Sequence, residues 1–108
     1  MTADTTKLFV QLPDECASMA EVRAGVDATD RELLRLLDRR FGYMRAAARI
    51  KPERNQVRDE ERKTAVITAV RKDAERRGLP VQAVTQIWEQ LVEASIAYEM
   101  EEWDRIRA

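Results

Sequence analysis

From Ser18 to Lys51 the chain contains no proline, and one stripe of positions recurs at alternating three- and four-residue steps. Val22, Val26, Thr29, Leu33, Leu36, Arg40, Tyr43, Ala47 and Ile50 share that stripe when the segment is read as a heptad repeat. Ser18 and Glu21 have the spacing of a capping box, in which each side chain takes up a free backbone N–H at the helix start. Pro52 disfavours helical geometry at the residue before it. These signals predict one helix from about Met19 to about Lys51, close to 50 Å long at about 1.5 Å per residue.

The remainder has few breaks, with only 3 Gly and 3 Pro in 108 residues. Residues 1–17 read as a flexible lead-in and 18–108 as one helical domain. Pro52 to Arg58 reads as a polar loop. Asp59 is a good N-cap for a second helix over about Glu60 to Arg77, whose apolar content is Ala65, Val66, Ile67, Ala69 and Val70. Gly78 suits its C-terminus. Pro80 fits the first turn of a third helix reaching about Arg107, with a face of Val84, Trp88, Leu91, Val92, Ser95, Glu99 and Trp103. The fold class is therefore all-α, with two long helices and one shorter. A globule of about 100 residues has a radius of gyration near 13 Å, too small to cover such helices. A second copy is expected to cover them, helix 1 against helix 1, as a homodimer.

Charge and composition exclude several functions. Nineteen basic and 20 acidic residues balance to a net charge of −1, which speaks against general nucleic-acid binding. There is no histidine, hence no serine-type triad and none of the commonest general base. Cys16 is the only cysteine, so no intrachain disulfide or thiolate metal site is expected. No apolar run approaches the roughly 20 residues of a membrane span. No signal peptide is apparent, and the expected location is the cytoplasm.

Arg40 stands out because it occupies a hydrophobic position of the stripe. A guanidinium there is costly unless an anion meets it, either a protein carboxylate or a ligand. Lys51 lies 11 residues on, about three turns and about 16 Å along the same face. Arg23 lies 28 residues before Lys51, about 42 Å away along a straight helix, so it can join such a site only from an antiparallel partner. Arg58, Asp59, Arg62 and Lys63 gather near the anion-favouring start of helix 2. Ser95 and Glu99 lie one turn apart in the apolar stripe of helix 3. Together these groups could enclose a small dianion.

The chain resembles the all-helical, type II chorismate mutases and their close relative isochorismate-pyruvate lyase. The resemblance rests on EVRAGVDATDRELLRLLDRRFGYMRAAARIK, VRDEERKTAV and IWEQLVEASIAYE, across about residues 14 to 104. An Arg near the start of helix 1, a second Arg 17 residues on and a Lys 11 after that are matched by Arg23, Arg40 and Lys51. The V-R-D-x-x-R element falls on Val57, Arg58, Asp59 and Arg62, and the helix 3 serine on Ser95.

This resemblance implies three helices per chain in an intertwined homodimer with two shared active sites. It implies that Arg40, Lys51, Arg62 and the partner's Arg23 grip the substrate carboxylates, that Lys51 also faces the ether oxygen, and that Asp59 orients the substrate hydroxyl or neighbouring cations. The implied reaction is the rearrangement of chorismate to prephenate in aromatic amino-acid biosynthesis, which needs no cofactor, metal, base or nucleophile. Two positions depart from the family pattern. Glu99 stands where many members have a Gln that donates to the ether oxygen, so Glu99 must work as the carboxylic acid. Lys63 stands where typical mutases carry a Glu. The alternatives are isochorismate-pyruvate lyase, making salicylate and pyruvate, and a non-catalytic helical dimerisation or regulatory module. The intact VRDEER element and Glu99 favour the mutase.

Overall fold

A computed structural model describes residues 10–108. Residues 1–9, which include most of the segment read for a leader, lie outside the described residues. Three helices follow in order: α1 (Met19–Ile50), α2 (Glu60–Arg76) and α3 (Val81–Ile106). Short 3-10 turns occupy Pro13–Glu15 and Arg54–Gln56. Among the described residues no strand is present, and no helix is long and apolar enough to cross a membrane. The chain divides into two compact units, Met1–Arg40 and Phe41–Ala108.

In the N-terminal unit, α1 starts as the capping box requires. The Glu21 N–H donates to Ser18 Oγ at 3.2 Å. The Glu21 carboxylate reaches one residue further back than the simplest box and accepts the Ala17 N–H at 2.7 Å. The apolar stripe of α1 is largely uncovered: Val26 is 53% exposed, Leu33 52% and Leu36 45%. Among the described residues of this unit Ala28 is buried. Caps and an unbroken run specify the helix locally, and the described residues leave this face largely exposed.

In the C-terminal unit, α2 and α3 pack together. Asp59 is the N-cap of α2, its Oδ1 accepting the Arg62 N–H at 3.0 Å. The α2 C-terminus is a Schellman motif. Leu79 N–H reaches Ala74 O at 2.9 Å and Gly78 N–H reaches Glu75 O at 3.1 Å. Gly78 makes this possible with φ of 69°, a conformation that strains side chains carrying a Cβ. Space around it is open, so Gly78→Ala should cost conformational energy alone. A loss of about 1–2 kcal/mol is expected from urea unfolding, with the helices otherwise unchanged.

The buried set differs from a simple apolar-face reading. Ala48, Val57, Ile67, Ala74 and Val92 form the apolar core of this unit, joined by Thr85, Ser95 and Glu99. Ala65 and Ala69, expected on the apolar face of α2, are exposed. Thr85 is accommodated because its hydroxyl donates to Val81 O at 2.7 Å, which satisfies its polar atom. Phe41 meets Tyr98 edge to face, with ring centroids 5.1 Å apart.

Candidate active site

Lys51 directly follows the last residue of α1, and its N–H still closes a helical bond to Ala47 O at 2.9 Å. Its Nζ donates to Glu99 Oε2 at 2.7 Å. The Glu99 side chain is 5% exposed and that of Lys51 30%. The expected interior position of Glu99 is thus observed. Burying a carboxylate is costly, and the ammonium offsets that cost. One turn earlier on α3, Ser95 is buried with its Oγ donating to Leu91 O at 2.7 Å. A cation and a carboxyl therefore meet here, with a buried hydroxyl one turn away along α3.

The start of α2 brings Asp59 and Arg62 next to each other through the cap bond. Arg62 is exposed, and its backbone, not its guanidinium, makes that bond. The other two candidates, Arg23 and Arg40, lie on α1 in the N-terminal unit. Arg23 is exposed and Arg40 half-buried.

Arg58, exposed, and Lys63, half-buried, are both ion-paired to α3. Glu93 of α3 receives Arg58 Nη2 at 2.7 Å on Oε1 and Lys63 Nζ at 2.7 Å on Oε2. Arg58 also reaches Glu60, and Lys63 reaches Glu89 at 3.2 Å. The hydrogen bond from Arg58, then that from Lys63, lowers Glu93 from 4.5 to about 2. Lys63 is raised by its bonds to Glu93 and Glu89. This strap fixes the first turn of α2 on α3 and so fixes where Asp59 and Arg62 sit.

The sign of the pH dependence follows. A depressed carboxylate favours the folded state above its unfolded pKa, and that advantage disappears as pH falls through the folded value. Between pH 4.5 and about 2, protonation of Glu93 should weaken the strap. In Glu93→Gln the loss of stability over this range should be smaller than in the unaltered chain, as measured by urea midpoints at successive pH values.

Sequence reasoning missed the contacts that hold the loop after α1. The Arg54 guanidinium bonds both oxygens of Asp104, at 2.9 and 3.1 Å, and lowers the Asp104 pKa. Trp103, on the expected face of α3, is half-buried and donates its indole N–H to Lys51 O at 3.0 Å. Partners some 50 residues apart leave no local signal, so only the fold reveals them. An open depression of about 450 Å³ lined by Arg71, Val81, Gln82, Thr85 and Gln86 holds none of the candidate groups.

Residues 22–100 match the family model described as chorismate mutase type II. The chain is also 28% identical over 98 residues to isochorismate pyruvate lyase of Pseudomonas aeruginosa strain PAO1, covering 91% of this chain and 97% of that protein. A family model that spans most of the chain, on an all-helical fold with three helices, is decisive: the chain belongs to the type II chorismate mutase family.

Proposed function

We propose that this protein is a chorismate mutase that converts chorismate to prephenate within a homodimer. The part-buried Lys51–Glu99 pair, with buried Ser95 one turn away, is the observation that carries the reading. The reaction is unimolecular, so the protein must hold the compact conformer and stabilise charge as the C–O bond breaks. Lys51 serves this by meeting a substrate carboxylate and the ether oxygen. Glu99 donates to the same oxygen as the neutral acid once the substrate has drawn Lys51 away from it. Arg40 and Arg62, with Arg23 of the partner, bind the carboxylates, and Asp59 orients the hydroxyl or adjacent cations. Ser95 contributes a hydrogen bond to a carboxylate.

An acceleration near 10⁶ requires about 8 kcal/mol. Charge-assisted hydrogen bonds of about 1.5–3 kcal/mol each reach much of this if they strengthen in the transition state. The uncovered apolar stripe of α1 supports the dimer, because burying Val26, Leu33 and Leu36 needs a surface that the described residues do not supply.

A second reading, isochorismate-pyruvate lyase, is favoured by the near full-length similarity to the Pseudomonas enzyme of that name. Purified protein given each substrate separates the two. Prephenate from chorismate is expected. Salicylate and pyruvate from isochorismate, without prephenate from chorismate, would establish the lyase.

A further inference from the structure

We propose that Arg107, acting with Trp103, is a positioning residue for Lys51. The proposal rests on the reading of Lys51 as a substrate-binding and catalytic group.

The need for such a residue arises from Pro52. A helix continued past Ile50 would bond the N–H of residue 52 to Ala48 O, but proline has no N–H to give. Ala48 is fully buried, and an unpaired carbonyl there would cost stability. The Arg107 guanidinium supplies the missing donor. Its Nη1 reaches Ala48 O at 3.0 Å, and its Nη2 reaches Lys51 O at 2.9 Å. The Trp103 indole N–H gives Lys51 O a second bond, at 3.0 Å. Arg107 lies over the Trp103 ring at 4.1 Å from its centroid, which holds the guanidinium plane in place.

A positive group at the C-terminal end of α1 is also favoured by the helix dipole. The main chain of Lys51 is thereby held on both sides: its N–H by Ala47 and its C=O by Arg107 and Trp103. Three residues later, Arg54 is tied to Asp104 of the same α3 turn. The side chain of Lys51 has four rotatable bonds, so its reach to Glu99 depends on where its Cα is fixed. The last turn of α3 thus sets the aim of the ammonium through the main chain of Lys51.

The test compares Arg107→Ala, Arg107→Lys and Trp103→Phe with Arg105→Ala, a neighbour whose partner is Glu102. Steady-state kinetics use whichever of chorismate and isochorismate the unaltered protein turns over. Amide hydrogen exchange is followed over residues 49–57 in the free protein. In Arg107→Ala kcat should fall by about tenfold or more with KM changed less than about threefold, since small misplacement of a reacting group is enough to lose this much. Arg107→Lys should recover part of the loss, Trp103→Phe should give a smaller one, and Arg105→Ala should match the unaltered chain. Exchange over 49–57 should quicken in the order of the kinetic losses.

A kcat for Arg107→Ala within twofold of the unaltered value overturns the proposal. If Arg107→Ala does not fold, Arg107→Lys and Trp103→Phe decide, and unchanged kcat and exchange in both overturn it. If the unaltered protein turns over neither substrate, the functional reading falls by itself. Exchange alone then judges the cap, and unaltered rates in Arg107→Ala overturn it.

Discussion

Lys51→Ala should lower kcat/KM for chorismate by about 10²- to 10³-fold, the range seen when one preorganised transition-state donor is removed. The structure also predicts a second, separable effect. Glu99 has a side chain only 5% exposed, and its Oε2 accepts from Lys51 Nζ. Removing the ammonium leaves a buried carboxyl group without that partner, at a cost of about 1–3 kcal/mol in folding stability. The double variant Lys51→Ala/Glu99→Gln should recover part of that stability and none of the activity. Urea unfolding and steady-state kinetics on the same samples distinguish the two effects. Activity within threefold of the unaltered protein in Lys51→Ala would remove this lysine from the mechanism.

The second large effect concerns Glu99. A carboxylate accepts hydrogen bonds and cannot donate, whereas the acid and an amide both donate. If Glu99 gives a hydrogen bond to the ether oxygen, Glu99→Gln should keep most of the activity, since its amide N–H donates in its place. Glu99→Ala should lose about 10²-fold. In the free protein Glu99 instead accepts from Lys51, so the substrate must rearrange this pair when it binds. Steady-state kinetics check this: a loss of activity in Glu99→Gln as large as that in Glu99→Ala would remove the donor role.

Much of the fold was legible because its punctuation is local. Pro52, Asp59 and Gly78 end or start helices through backbone geometry and capping, and each does so at the expected place. Glu99 was legible as an interior residue because it interrupts an apolar stripe at helical spacing. Arg58 and Lys63 were not legible as a strap, since the charge that answers them, Glu93, is 30 or more residues away in sequence. The role of Trp103 was hidden for the same reason: its indole N–H meets a carbonyl, and carbonyls carry no sequence signature. Ala48 and Ala74 were hidden differently. Both are ordinary helix formers, and only the close approach of neighbouring elements makes them core.

The central claim is that each site draws Arg23 from one chain and Lys51 from the other. Mixing inactive Arg23→Ala and Lys51→Ala chains, under conditions that exchange subunits, tests it most directly. Statistical exchange makes half of the dimers mixed, and a shared-site geometry leaves each mixed dimer one intact and one doubly altered site. Activity should therefore return to roughly a quarter of that of the unaltered protein. Mixed dimers shown to form, with activity no higher than either variant alone, would contradict the account.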